Sequence, residues 1–192
     1  MSDEQVVRHC SPTLAGLKTG NIFCCDFDSD GELTGTLCRL NRQLSPYGLR
    51  ALPLRHTRGG GRAMIYIYRP SMLGQDIAAE GAKDILEAYG YCTGNANRCV
   101  ARLMERLKTV SAESFPHEIG LFLGYPPEDV EGFINNHAGG CKICGAWKVY
   151  GDAESARKKF DSYKKCTASC LKEWKKSGSL EKLIADRGTV LA

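Results

Sequence analysis

The spacing of apolar residues along the chain predicts strands and helices in alternation. A largely apolar run over 21–27 has the length of a buried strand, and a turn-forming Asp-Ser-Asp-Gly segment follows it. Four leucines then recur at helical spacing between Leu33 and Leu44, which predicts an amphipathic helix of about three turns. Two more strands are predicted over 49–55 and 63–69, joined by a glycine-rich hairpin tip.

Helical periodicity replaces alternation in the middle of the chain. Apolar residues repeat at intervals of three and four over 71–137, so we expect several short helices there, with Pro127 at the start of the last one. Five residues from Ala146 to Tyr150 predict a final strand. A long basic helix should follow, with an apolar stripe that ends at Trp174.

The predicted elements have the order of a known α+β architecture. From residue 20 onward they run strand, helix, strand, strand, helical block, strand, helix, which is a βαββαβ order with an enlarged second crossover. We therefore predict a four-stranded antiparallel sheet of ferredoxin-like order, covered by helices and preceded by a short N-terminal helix. Residues 71–137 would be a helical insertion within a single domain of residues 1–192.

Composition and charge narrow the class of protein. With 43% hydrophobic and 25% charged residues in 192, the chain has the composition of a soluble globular protein. No apolar run approaches the roughly 20 residues of a membrane helix. The acidic N-terminus lacks the apolar segment of a signal peptide. We therefore expect a cytoplasmic protein without a membrane partner.

The positive charge is concentrated at the C-terminal end. After Tyr150 the chain has ten Lys or Arg against six Asp or Glu, which accounts for the whole net charge of +4. Nucleic-acid-binding proteins usually carry a denser basic face. A helix-turn-helix-like segment over 117–135 has Glu128 and Asp129 at the start of its second helix, where they would repel phosphate. The expected partner is a protein or a small molecule rather than nucleic acid.

The sharpest chemical signal is the Cys141-Lys142-Ile143-Cys144-Gly145 segment, the only Cys-x-x-Cys in the sequence. Two thiolates at this spacing can hold a metal ion or close into a reversible disulfide. Cys166 and Cys170, four residues apart on the following helix, could complete a tetrahedral Zn²⁺ site or hold an iron–sulfur cluster. A Cys141–Cys144 redox pair and purely structural thiols are the other interpretations, since buried cysteines often serve only packing.

A second candidate site involves Cys10. Ser11 and Pro12 are a good N-cap and a good first helical residue, so a helix should begin there. Cys10 would then lie at the positive end of the helix, where the pKa of a thiol is lowered. With His117 as base and Glu118 orienting it, this would be a Cys–His–acid arrangement of a Cys-dependent enzyme. The alternative is that His117 makes only local hydrogen bonds.

Several segments are long and distinctive. They are HCSPTLAGLK (9–18), YRP (68–70), PHEIGLFLGYP (116–126), CKICG (141–145), WKVYG (147–151) and YKKC (163–166). On these segments nearly the whole chain resembles a bacterial family, domain of unknown function 3793, found mainly in clostridia and related anaerobes. The resemblance implies a cytoplasmic protein and no particular activity. In a cytoplasmic chain of this length most of the ten cysteines should be thiols, with any special ones metal-bound or redox-active.

We therefore expect a thiol-rich metal-binding or redox protein centred on the Cys141-x-x-Cys144 turn. Its cofactor would be Zn or an iron–sulfur cluster, if it holds one at all. The alternatives are a Cys-dependent enzyme that uses Cys10 and His117, and a non-catalytic interaction or scaffold protein.

Overall fold

A computed structural model describes residues 1–109 and 115–188. The helices are α1 (Asp3–Leu14), α2 (Asp30–Leu44), α3 (Pro70–Ala78), α4 (Glu80–Ala88), α5 (Ala96–Lys108), α6 (Ile119–Phe122), α7 (Pro127–Asn135), α8 (Ala153–Ser177) and α9 (Leu180–Gly188). The strands are β1 (Gly20–Phe27), β2 (Arg50–His56), β3 (Gly61–Tyr68), β4 (Ile143–Cys144) and β5 (Lys148–Val149). The chain divides into two compact units, one of Met1–Pro70 with Tyr163–Ala192 and one of Ser71–Ser162.

The first unit is built on a three-stranded antiparallel sheet of order β1-β3-β2. The central strand β3 pairs with β1 along its whole length, from Gly20 opposite Tyr68 to Phe27 opposite Gly61. Its pairing with β2 shifts register between Pro53 and Arg55. Proline is tolerated on β2 because an edge strand does not need every N–H for pairing.

Alternation along β3 directs one set of side chains into the core of the first unit. Ala63, Ile65 and Ile67 are fully buried and pack in one hydrophobic cluster with residues of α1, α2, α8 and α9. The leucines predicted to line the second helix are buried on α2, which contacts β2. Burial of these apolar side chains is the main stabilising contribution to this unit.

The N-terminal helix begins at Asp3, so the prediction that it starts at Ser11 and Pro12 is wrong. Ser2 is the N-cap: its hydroxyl accepts from the Gln5 N–H at 3.3 Å, and the Gln5 side chain accepts from the Ser2 N–H at 2.9 Å. This capping box sets the start of α1, although Ser11 and Pro12 also have the chemistry of a helix start. Pro12 lies in the last turn, where its missing N–H removes one hydrogen bond.

The α+β class is confirmed, but the four-stranded ferredoxin-like sheet is not present in the part of the chain that the structure describes. The predicted last strand forms only β5, which pairs with β4 in a separate two-stranded hairpin. The strand stops early because the N–H groups of Tyr150 and Gly151 donate to the Asp129 carboxylate instead of to a neighbouring strand.

The second unit combines the predicted helical block with this hairpin. It contains α4 to α7, most of α3, the β4–β5 hairpin and α8 up to Ser162. The predicted insertion covered 71–137, of which 110–114 lie outside the described residues, whereas this unit continues to Ser162. None of the described helices combines the length and apolar composition needed to cross a membrane.

Candidate thiol site

The Cys-x-x-Cys segment lies in the β4–β5 hairpin of the second unit. Cys144 is opposite Lys148 across the hairpin, and Ile143 is opposite Val149. Cys144 is exposed and Cys141 half-buried. Gly145 follows at the turn, and a Cβ at that position would lie 2.2 Å from a ring carbon of Phe160 on α8. Glycine is therefore required here because a side chain would displace the hairpin from the helix.

A buried carboxylate fixes the hairpin to α7. Asp129 is 3% exposed and lies in the first turn of α7. One of its oxygens accepts from the N–H groups of Tyr150 at 2.7 Å and Gly151 at 2.8 Å, and the other accepts from the Trp147 indole N–H at 2.6 Å. These three hydrogen bonds offset the cost of burying a charged group. The position of Asp129 in the sequence indicates only an acid at a helix start, and no nearby pattern indicates this role.

Aromatic rings pack around the same point. Trp147 stacks on Tyr125 with ring centroids 4.9 Å apart and meets Phe160 edge-on at 4.6 Å. The Tyr125 hydroxyl also donates to the carbonyl of Ala146 at 3.2 Å. A Cβ on Gly120 would lie 2.8 Å from Val130 and 3.1 Å from Tyr125, so the absence of a side chain there allows the α6–α7 turn to close.

A cavity of about 310 Å³ opens beside the hairpin and brings two predicted site residues together. Cys144 and His117 both line it, as does Lys148. His117 is exposed, and its ring lies 5.7 Å from the ring of Phe115 and 5.0 Å from that of Phe133. The volume falls at the lower end of the range for small-molecule sites. The sequence singled out His117 and Cys144 separately, but nothing local in the sequence links them.

Cys10 does not have the surroundings expected of a nucleophile. It is fully buried in the C-terminal half of α1, not at a helix start. Burial raises the pKa of its thiol far above the ordinary value, and the nearby Lys18 only partly opposes this. Cys10 belongs to the first unit and His117 to the second, so neither unit by itself forms the pair. Their catalytic partnership stays a prediction.

Glu118, predicted to orient His117, makes buried contacts with Tyr91 and Arg106, and its orienting role stays a prediction. It is 1% exposed, accepts from the Tyr91 hydroxyl at 2.8 Å and pairs with the Arg106 guanidinium at 2.7 Å. Burial, together with the Glu118 carboxylate, raises the pKa of Tyr91 above its usual value. This carboxylate is therefore part of a buried network among α5, α6 and the segment that precedes α5.

The other predicted metal ligands, Cys166 and Cys170, are buried on α8 in the first unit. Their sulfurs are 3.9 Å apart, and the Cys166 thiol donates to the carbonyl of Ser11 at 3.6 Å. Over residues 1–109 and 115–188, no group of three or more His, Cys, Asp or Glu side chains is placed to hold a metal ion. The site formed by these two cysteines with Cys141 and Cys144 stays a prediction.

The thiols should differ widely in reactivity. We expect iodoacetamide at pH 8 to alkylate the exposed Cys24, Cys38 and Cys92 of the folded protein long before Cys10, whose thiol is sealed from solvent and holds its proton. Peptide mass spectrometry after timed quenching gives the order. Alkylation of Cys10 at the rate of the exposed thiols, in protein whose circular dichroism is native, would contradict the buried assignment.

The comparisons with known proteins agree with the resemblance drawn from the sequence. A family model described as "Protein of unknown function (DUF3793)" matches residues 6–184, a range that contains every residue lining the cavity. Comparison with curated proteins and with solved structures gave no match. Because the family model matches well over half of the chain, the protein belongs to the DUF3793 family.

Proposed function

We propose that the second unit binds a small molecule in the cavity beside the hairpin, and that the Cys144 thiol reacts with it. The observation that carries this proposal is that Cys144 and His117 line one cavity of about 310 Å³. A thiol becomes a strong nucleophile only after it loses its proton, and a neutral imidazole in the same cavity can accept that proton. We place this activity in the cytoplasm, where thiols stay reduced.

The proposed step is addition of the thiol to an electrophilic ligand. His117 takes the proton from the Cys144 sulfur, and the sulfur lone pair forms a bond to an electrophilic carbon of the ligand. The electron pair of the double bond at that carbon moves to its neighbouring atom, which takes the proton back from the imidazolium. The atoms and charges balance without another reactant.

The hairpin is held firmly enough to present the thiol in one position. Besides the Asp129 contacts, the Lys148 ammonium donates to the carbonyl of Ala138 at 2.6 Å. A reactive group needs such support because small displacements reduce its effectiveness.

A second proposal uses both cysteines of the motif, as a redox pair or as ligands of Zn or an iron–sulfur cluster. Solvent reaches Cys144 and part of Cys141, whereas Cys166 and Cys170 are buried. An oxidant or a metal ion therefore has access to this pair. Further ligands would have to join it before a metal was held tetrahedrally.

Labelling kinetics with two electrophiles test the first proposal. For each reagent we compare the labelling rate of Cys144 with that of Cys92, which is exposed in the same unit. This rate ratio should be about tenfold or more higher with N-phenylmaleimide than with iodoacetamide, because the cavity concentrates the aromatic reagent. His117→Gln should slow Cys144 several-fold and leave Cys92 unchanged. Rates are read by peptide mass spectrometry.

Two kinds of result would decide against this assignment. Equal reagent preference at Cys144 and Cys92, with no effect of His117→Gln, would reject thiol addition in the cavity. Three results in Cys141→Ser protein would favour the second proposal: loss of bound zinc, loss of an iron–sulfur absorbance after preparation without oxygen, or loss of the 2-Da mass decrease that added diamide causes in the reduced wild type by closing a disulfide.

A further inference from the structure

Aromatic rings form a large part of the walls of the cavity beside the hairpin. The rings that line it, besides His117, belong to Phe115, Tyr125, Phe133 and Trp147. They form two groups: His117 lies between Phe115 and Phe133 in tilted contacts, and Tyr125 stacks on Trp147 with an interplanar angle of 26°. Aromatic faces and edges attract other rings in stacked or edge-on arrangements. A planar ring therefore suits this cavity better than a flexible chain.

The Lys148 ammonium supplies a positive charge to this cavity. Asp129 is the sole carboxylate among the described lining residues, and its two oxygens are already occupied by three N–H donors. The Lys148 ammonium lies 5.9 Å from the Phe133 ring centroid and donates to Ala138. An ammonium has three N–H donors, so this one bond leaves donors for an anion.

From these two features we infer that the cavity binds a small planar aromatic carboxylate, with its ring among the aromatic walls and its carboxylate at Lys148. The inference rests on the proposed function, since it names the class of ligand for the same cavity. The ring supplies most of the buried apolar area, and the charge pair sets the orientation.

Isothermal titration of the Cys144→Ser protein tests this inference without any thiol chemistry. The probes are 2-naphthoate, 2-naphthylmethylammonium with the same ring and opposite charge, and decanoate with the same charge and no ring. We expect 2-naphthoate to bind at least about tenfold more tightly than either of the others, a difference of about 1.4 kcal/mol.

The hairpin offers a matched pair of lysines for the control. Lys142 and Lys148 each donate to a backbone carbonyl, but Lys148 alone of the two lines the cavity. Lys148→Met should weaken 2-naphthoate binding about tenfold, whereas Lys142→Met should leave it unchanged. If Lys148→Met disturbs the fold, Lys148→Arg should retain binding with a native circular dichroism spectrum.

Similar affinities for the three probes, or no response to Lys148→Met in folded protein, would overturn the inference. That failure is separable from failure of the proposed function. The His117-dependent reactivity of Cys144 could survive while 2-naphthoate does not bind, and 2-naphthoate could bind while Cys144 reacts like Cys92.

Discussion

Replacing Asp129 with alanine is expected to lower the free energy of unfolding by about 3–5 kcal/mol. The substitution leaves the Trp147 indole N–H and the N–H groups of Tyr150 and Gly151 without their acceptor. A buried donor without a partner costs about 1–3 kcal/mol, and water can reach some of these groups once the hairpin loosens. Urea denaturation measures the loss, and hydrogen exchange should show faster exchange over 142–151.

Two further variants show whether the hydrogen bonds of Asp129 account for the loss of stability. Asp129→Asn keeps one oxygen for the two backbone N–H groups but presents an amide N–H₂ to the indole N–H, so an intermediate loss is expected. Glu131→Ala, at an exposed position on the same helix, should change stability by no more than about 0.5 kcal/mol. If Asp129→Ala behaved like Glu131→Ala, Asp129 would not be what anchors the hairpin.

Replacing Glu118 with alanine should destabilise the protein by about 2–4 kcal/mol. Removing one member of a buried ion pair typically costs about 3–5 kcal/mol. The value here should be somewhat lower because the Arg106 side chain is 26% exposed and water can solvate it in the variant. The Tyr91 hydroxyl also loses its acceptor. Thermal and urea denaturation of the same samples provide the comparison.

A nearby ion pair provides the control for Glu118. Glu105 pairs with Arg102 at 3.4 Å with both side chains about half exposed or more, and such surface pairs contribute little. Glu105→Ala should therefore cost less than about 1 kcal/mol. Equal effects of the two substitutions would mean that burial of Glu118 does not strengthen its contacts. Loss of His117-dependent labelling of Cys144 in folded Glu118→Ala would support the orienting role predicted from the sequence.

Local periodicity was enough to predict much of the first unit. The strand over 21–27, the leucine-lined helix and the two strands joined by glycines all correspond to elements of the structure. Each of these elements buries one face, so the spacing of its apolar residues indicates whether it is a strand or a helix. The start of α1 was missed because Ser11-Pro12 has the chemistry of a helix start, while the capping box at Ser2 and Gln5 precedes any apolar repeat.

The second unit was less predictable because its contacts join residues distant in sequence. The strand after Cys144 ends where Asp129 accepts its N–H groups, and no pattern near Tyr150 indicates that acceptor. His117 and Glu118 are adjacent in sequence, yet the first lines an open cavity and the second is buried with Arg106. Side-chain direction in the turn that leads into α6, rather than residue type, decides which of the two can meet a ligand.

The β4–β5 hairpin pairs only two residues on each strand, and a ladder of that size does not persist alone in water. Any unusual reactivity of the Cys144 thiol therefore depends on the folded second unit and not on the Cys-Lys-Ile-Cys motif alone. A synthetic peptide of 141–151 would be a coil with ordinary thiols. Transplanting the motif into another scaffold would carry the chemistry with it only if an acceptor equivalent to Asp129 came too.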